Sequence, residues 1–509
     1  MKKKIKSFFK TSNVLLFSIL SLAFFVRIYR INELLGFWYD QGRDALVIWD
    51  LWHKGKLFLI GPMMGFTGIF RGPWYYWLIA PFYLLGKGNA LWPMYFLILT
   101  TVLAIFILYI IGKEIAGEKA GLIAVFIASI SYYLVSASRW LSNPTPMFFI
   151  SALLVWAVFQ FLKKKIWSLP LIAFLVGMAL NFGAAAEVFY IPAVLIILFW
   201  KRKSLPNIKI LSLSLFLFFM AFLPQTVFEI RHPGVFSTAI KNFLIEDKSF
   251  TISFWEIIRT RASFYYQLIA SKFWINNGNL FAPFLILIIG RLALKWKEFW
   301  KNEKFRVIIV FTLAPFLGTL FFRGNQGNIY DYYFTGYYLF FILLLSLVLA
   351  RLSENFLGKA VLAIFLIIFS WENYHSLRRD FEISLSDPKI IAFKNQTSAM
   401  DWIYKDAKGE KFNVDTYVPP VIPYAYDYLF LWYGTNSCGE DLCGLEKEKQ
   451  LPLLYTLYEV DPPHPERLER WLNRQKGIGK VEKEERFGGI IIQRRIRIRE
   501  NCNFSLNEE

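Results

Sequence analysis

The feature that most constrains this chain is the recurrence of apolar runs long enough to cross a lipid bilayer. Spanning the roughly 30 Å hydrocarbon core takes about 20 apolar residues in a helix. Such runs recur near 13–30, 91–111, 119–137, 145–162, 209–228, 305–322, 336–352 and 357–373, with shorter ones near 168–184, 187–200 and 280–294. The 56% hydrophobic content and 52 Phe of the 509 residues exceed what one water-soluble core requires. The pattern predicts a mainly α, polytopic membrane protein with about eleven transmembrane helices over residues 1–373. The first run is long, has Arg27 and Arg30 at its far end and lacks a small-residue cleavage site, so it reads as a retained helix.

Sidedness follows from Lys and Arg in the short connections. Lys2, Lys3, Lys4, Lys6 and Lys10 place the N-terminus in the cytoplasm. Lys113 and Lys119, Lys163 to Lys165, Lys201 to Lys203, and the Lys295 to Arg306 loop read as cytoplasmic too. Residues 168–200 must then leave and return, as two short helices or as a re-entrant loop. The parity puts residues 31–90, 139–144, 229–279 and 323–335 outside the plasma membrane, with the C-terminal region following the last helix out.

The net charge of +19 lies largely in the cytoplasmic loops, where anionic lipid headgroups account for it; a nucleic-acid partner is not called for. Cys438 and Cys443 fit a disulfide or two free thiols, and no His stands beside them for zinc. No repeat of fixed period appears, which counts against a transporter of two repeated halves.

The first external loop is too long for a connector. Its stretch Trp38-Tyr39-Asp40-Gln41-Gly42-Arg43-Asp44 places Asp40 near the membrane surface. A carboxylate there, ionised beside Arg43, suits a general base that takes a proton from an acceptor hydroxyl; a solvated Asp paired with Arg43 fits the same spacing. Further on, Phe70-Arg71-Gly72-Pro73-Trp74-Tyr75-Tyr76-Trp77 predicts an aromatic helix in the interface preceded by a cation. A guanidinium at headgroup depth can bind a phosphate in a bidentate manner, and ordinary lipid phosphate would satisfy it as well.

Glu229, Arg231 and His232 emerge together at the end of the 209–228 run. They fit helix-end anchoring or a second phosphate clamp, with Arg231 and His232 stabilising charge on a leaving group. Glu229 with His232 also admits a divalent metal, but two ligands do not make a site. Asp331 and Tyr333 sit before the tenth helix, Arg139 and Asn143 in the short external turn, and Glu187 in the 168–200 hairpin, all as candidates for substrate contact.

An Asp loop after the first helix, then a cation-Pro-aromatic stretch, then an Arg after the next helix pair resembles the GT-C membrane glycosyltransferases. Within these it is similar to the protein O-mannosyltransferase and aminoarabinose-transferase-like superfamily, over roughly residues 13–373. Members commonly carry an acidic pair in the first loop; here Asp40 is followed by Gln41. Arg71-Gly72-Pro73 matches their Lys-Pro-Pro-type motif, and Asn143 stands where many have a second acidic residue. The Phe228 to His232 run and Tyr332-Tyr333 resemble segments of bacterial members. The resemblance implies sugar transfer from a polyprenyl-phosphate donor to a protein, lipid or glycan acceptor, with inversion at the anomeric carbon and no required cofactor. In it, Asp40 is the base, and Arg71, Arg231 and His232 attend the phosphate. Arg43 and Asp44 stand beside the base as candidate substrate contacts.

Residues 374–509 change character. Alternating runs at Phe412 to Val418, Leu453 to Val460, Val481 to Arg486 and Ile490 to Arg499, with helical stretches near 391–405, 422–433 and 465–475, predict a small extracytoplasmic α/β domain. Arg495, Arg497 and Arg499 alternate with Ile, as on a charged edge strand. A polyprenyl-linked polysaccharide polymerase or ligase would use the same phosphate clamp. A transporter or flippase would instead place ionisable residues at helix centres.

Overall fold

The computed structural model describes residues 11–63, 69–183, 185–242, 253–274, 278–320, 322, 327–419, 422–438 and 444–498. Cys443, Arg499 and residues 323–326 lie outside these, and with them the pairing of Cys438 and Cys443. Numbering only helices of seven residues or more, α1 (Thr11–Ile28) leads to α2 (Tyr39–Lys54) and α3 (Trp74–Leu85) in the first long loop. The bundle continues with α4 (Leu91–Ala116), α5 (Glu118–Ile130), α6 (Tyr132–Ser138), α7 (Met147–Leu162), α8 (Ser168–Phe182) and α9 (Tyr190–Trp200). Next come α10 (Ile208–Met220), α11 (Leu223–Arg231), α12 (Val235–Lys241) and the amphipathic α13 (Phe254–Ala270). It closes with α14 (Phe281–Leu294), α15 (Glu303–Leu320), α16 (Tyr338–Leu352) and α17 (Phe356–Phe381).

The apolar runs read from the sequence form helices over most of their described residues. Among the described residues, four helices are long and apolar enough to cross a membrane: Thr11–Leu34, Leu91–Ala116, Asp331–Leu352 and Phe356–Phe381. The bent pairs α5–α6 (64°) and α10–α11 (56°) raise this to six if each is one span. The helices α7, α8, α9 and α14 are apolar but shorter. Burial separates centre from periphery: 89% of the Asp331–Leu352 window is buried, against 28% for Phe356–Phe381.

The kinks are chemically filled. At the α5–α6 break the fully buried Arg27 donates to Ala128 O, Ser129 O and Ser138 Oγ, each at 2.9 Å, satisfying carbonyls that an interrupted helix leaves open. At the α10–α11 break, with Pro224 in the first turn of α11, the Ala221 carbonyl accepts from Trp74 Nε1 (2.7 Å) and Asn181 Nδ2 (3.1 Å). The second kink is thereby tied to the first loop.

The C-terminal domain follows the predicted order closely: α18 (Phe393–Ala407), β1 (Asn413–Tyr417), α19 (Tyr424–Cys438), β2 (Leu453–Glu459), α20 (Pro465–Ile478), β3 (Gly479–Phe487) and β4 (Ile490–Arg497). The sheet order is β1-β2-β4-β3, with β1 and β2 parallel and the other pairs antiparallel. This corrects the edge-strand expectation for Arg495 and Arg497, because β4 is internal. Arg495 is buried and donates to the carbonyls of Gln475 (2.8 Å) and Gly479 (2.9 Å). Arg497 donates to Leu451 O at 2.9 Å. These cations hold strand ends together.

Candidate functional site

Helix α2 organises the site. Gln41 Oε1 reaches back to accept from Trp38 N–H (3.1 Å), which starts the helix, and Gln41 Nε2 donates to Leu141 O (3.0 Å), anchoring it to the 139–144 turn. Asp40 falls in the first turn, where the open N–H groups of a helix favour a negative charge. Asp40, Arg43 and Asp44, at i, i+3 and i+4, share one face. Arg43 Nη1 lies 2.8 Å from Asp40 Oδ1 and Nη2 lies 2.7 Å from Asp44 Oδ1. Tyr76 of α3 donates to Asp44 Oδ1 at 3.0 Å. Asp40 is half exposed, while Asp44 is buried, and burial pushes the Asp44 carboxyl up to about 6. One guanidinium thus couples an open carboxylate to a buried one.

Arg71 stands opposite. Its backbone pairs with residues 61–62, Gly61 N to Arg71 O at 2.7 Å and Arg71 N to Pro62 O at 3.1 Å, which fixes the loop that carries the side chain. The Nε of Arg71 is buried with no hydrogen-bond partner among the described residues. Burial lowers the pKa of the guanidinium, and the charges opposing that are, in falling order, those of Glu187, Tyr332, Asp44 and Asp40. Asp40, Asp44, Arg71, Glu187 and Tyr332 therefore share one electrostatic field. Glu187 is buried in the turn between α8 and α9, and its Oε1 accepts from Gly336 N–H at 3.0 Å. Tyr333 also lies within electrostatic reach of Arg71.

Other sequence candidates have structural employment. Arg139 Nη1 donates to the carbonyls of Val26 and Arg27 (3.2 Å each) and Tyr29 (2.8 Å), capping α1, and its guanidinium lies 5.1 Å from the Phe381 ring centre. Asn143 Nδ2 donates to Asn181 O (3.2 Å) and Phe182 O (2.7 Å) at the end of α8. Glu229 accepts from Gly234 N, Phe236 N and Ser237 Oγ at 2.8–3.0 Å, capping α12. Arg231, the last residue of α11, and His232 just after it are exposed, the His232 ring against Phe228 (4.7 Å). Phe228 in turn packs against Phe70 (6.2 Å), beside Arg71 in sequence.

Asp331 belongs to a cluster the sequence reading missed. Lys272, wholly buried, places Nζ 2.9 and 2.8 Å from the two Asp331 oxygens, and Tyr133 and Tyr338 donate to Oδ1 at 2.6 and 2.5 Å. The signal was a lone cation in Ser271-Lys272-Phe273-Trp274. Between this cluster and α2 lies a cavity of about 800 Å³ whose lining includes Trp38, Tyr133, Arg139, Trp140, Tyr332 and Phe381. Trp38 and Tyr332 join it to the Asp40–Arg71 region. No group of three or more His, Cys, Asp or Glu side chains suited to a metal ion occurs among the described residues.

Residues 71–228 match the family model of dolichyl-phosphate-mannose-protein mannosyltransferases. The chain is similar to ArnT from Cupriavidus metallidurans bound to undecaprenyl phosphate, at 10% identity and a TM-score of 0.56 over 94% of this chain and 97% of that one. It is also similar to the oligosaccharyltransferase AglB from Archaeoglobus fulgidus in complex with an inhibitory peptide and a dolichol-phosphate, at 10% identity and a TM-score of 0.50 over 97% of this chain and 75% of that one. No curated protein matches the chain. In fold the chain is similar to ArnT and AglB, and its central segment, which holds the Arg71-Gly72-Pro73 stretch and Arg139, matches the mannosyltransferase family model.

Proposed function

We propose that this protein transfers a sugar from a polyprenyl-phosphate carrier to an acceptor hydroxyl at the extracytoplasmic face of the plasma membrane. The observation that carries the reading is Arg71, a buried guanidinium with an unpartnered Nε, set in one field with the Asp40–Arg43–Asp44 face. A desolvated cation of this kind suits the phosphate of a lipid carrier, because hydrogen bonds to a charged group strengthen where water is excluded. Undecaprenyl phosphate and dolichol-phosphate in the ArnT and AglB structures support that ligand class.

In this reading Asp40 accepts the acceptor's hydroxyl proton as the acceptor oxygen bonds to the anomeric carbon. The carbon–oxygen bond to the carrier breaks, and polyprenyl phosphate departs with the electron pair from the opposite face, giving inversion. Arg71 offsets the charge that grows on the departing phosphate, with Arg231 as an outer cation and His232 as an outer hydrogen-bond donor toward the headgroup layer. Arg43 holds Asp40 in place through their ion pair. The acceptor is a protein, lipid or glycan hydroxyl reaching Asp40 past Trp38 and Tyr332. The N-terminus is cytoplasmic and the α/β domain lies outside.

The test is transfer by the purified protein from a panel of polyprenyl-phosphate sugars, hexosyl and pentosyl, read by mass spectrometry of the acceptor. One donor supports transfer, and Asp40→Asn abolishes it. Full activity in Asp40→Asn overturns the mechanism; wild-type transport of donor without cleavage overturns the enzyme.

A further inference from the structure

We infer that the C-terminal domain sets the position of the helix bearing Asp40, and that Gly42 is the positioning residue that lets it do so. This rests on Asp40 acting as proposed above.

Helix α19 of the C-terminal domain lies directly on α2. A Cβ built on Gly42 would stand 2.3 Å from Ala425 N, 2.4 Å from Tyr424 C and 2.5 Å from Ala425 Cα. These are backbone atoms that cannot rotate away, so any side chain at residue 42 must push the helices apart. Gly42 is buried and lies two residues from both Asp40 and Asp44, so a displacement there moves both carboxylates. One turn back, the rings of Tyr39 and Tyr424 meet at 4.9 Å between centres.

The loop is gripped at both ends by the same domain. Before α2, Phe393 N–H donates to Leu35 O (3.0 Å) and Gln396 Nε2 to Phe37 O (2.8 Å). After α3, Tyr428 OH donates to Gly88 O (2.5 Å) and Trp432 Nε1 to Lys87 O (2.8 Å). Lys87 and Gly88 both have positive φ, 49° and 86°, so this turn has little freedom to shift against the domain. The opposite side of α2 is held by Gln41 on Leu141 O. Pinned on two sides, α2 presents Asp40 at a height set by its contact with Tyr424 and Ala425. The backbone of Arg71 pairs with Gly61 and Pro62 and makes none of these contacts, so carrier binding and base placement are separable.

The experiment compares full-length Gly42→Ala, Tyr424→Ala and the control Gly290→Ala, whose added methyl meets nothing within 4 Å. Two quantities are read: binding of undecaprenyl phosphate by the quenching of tryptophan fluorescence, and kcat and KM with the donor selected by the screen. Gly42→Ala lowers kcat by about 10- to 100-fold, the size expected for a displacement near 1 Å, with carrier binding and donor KM unchanged. Tyr424→Ala, which removes a ring and inserts nothing, lowers kcat in the same direction by less. Gly290→Ala matches the wild type. Unchanged kcat in Gly42→Ala and Tyr424→Ala overturns the inference while Asp40→Asn remains inactive. Loss of carrier binding in parallel with kcat in both variants overturns it too, since that marks general damage. An active Asp40→Asn removes the base instead, and the two failures are told apart.

Discussion

Arg43 places its Nη2 2.7 Å from Oδ1 of Asp44, one helical turn beneath the bond that the same guanidinium makes to Asp40. The buried carboxyl titrates near 6, within the range of physiological pH. As pH falls through about 6, Asp44 takes a proton, and Arg43 is left with Asp40 as its charged partner and holds that side chain more tightly away from the acceptor. Transfer activity is expected to fall several-fold across that point to a lower plateau. Asp44→Asn should start several-fold lower at pH 7.5 and lack the limb. The stability contribution runs the other way: an acid whose folded value is raised above 3.8 stabilises below that value and loses the effect as pH rises through about 6. A pH–rate profile of both proteins, with unfolding midpoints alongside, checks the sign of each.

Arg71 supplies a charged donor where water is largely excluded. Truncating such a partner removes about 1.5–3 kcal/mol, so Arg71→Ala should weaken undecaprenyl phosphate binding by about 10- to 100-fold. Arg71→Lys should recover part of this, because an ammonium keeps the charge and loses the planar fork. Equal affinities in wild type and Arg71→Ala, measured by fluorescence titration, would place the phosphate elsewhere.

Lys272, buried, pairs with the half-buried Asp331 beside the rings of Tyr133 and Tyr338. Lys272→Met leaves the carboxylate without its cation, and losing a hydrogen bond to a charged group costs about 1.5–3 kcal/mol. The unfolding midpoint of the detergent-solubilised protein should drop, and the double variant Lys272→Met/Asp331→Asn should recover much of the loss. A single variant as stable as the wild type would show the pair to be dispensable.

Glu459, at the end of β2, is buried and accepts from Tyr426 OH at 2.8 Å; burial pushes its carboxyl up to about 7 from 4.5. Its contribution is present below about 4.5 and lost as pH rises through about 7, amounting to about 3 kcal/mol. Glu459→Gln should flatten the fall in unfolding midpoint between pH 5 and pH 8. An identical slope in the variant would exclude Glu459 as its source.

The C-terminal domain was legible almost element by element, since period-two alternation at Leu453 to Val460 and Ile490 to Arg499 depends on local pattern alone. What the alternation could not supply was strand order. Arg495 reads as an edge cation by pattern, yet β4 lies between β2 and β3, because pairing is a long-range choice. Asp40 and Arg71 were legible as isolated ionisable groups in an aromatic loop, whereas Lys272 was not, its partner Asp331 being remote in the chain.

The sequence by itself determined that the chain belongs in a membrane, since apolar runs near 20 residues have no other stable solvent, and it marked Asp40 and Arg71 as charges worth attention. Only the tertiary structure decided which charges work together. It set Arg43 between Asp40 and Asp44, brought Glu187 into the field of Arg71, and assigned Arg139, Asn143 and Glu229 to capping. It also laid Tyr424 and Ala425 against Gly42. The physical reason is that electrostatic coupling and close packing fall off within a few ångströms, and distance along the chain says nothing about which remote groups come within that range.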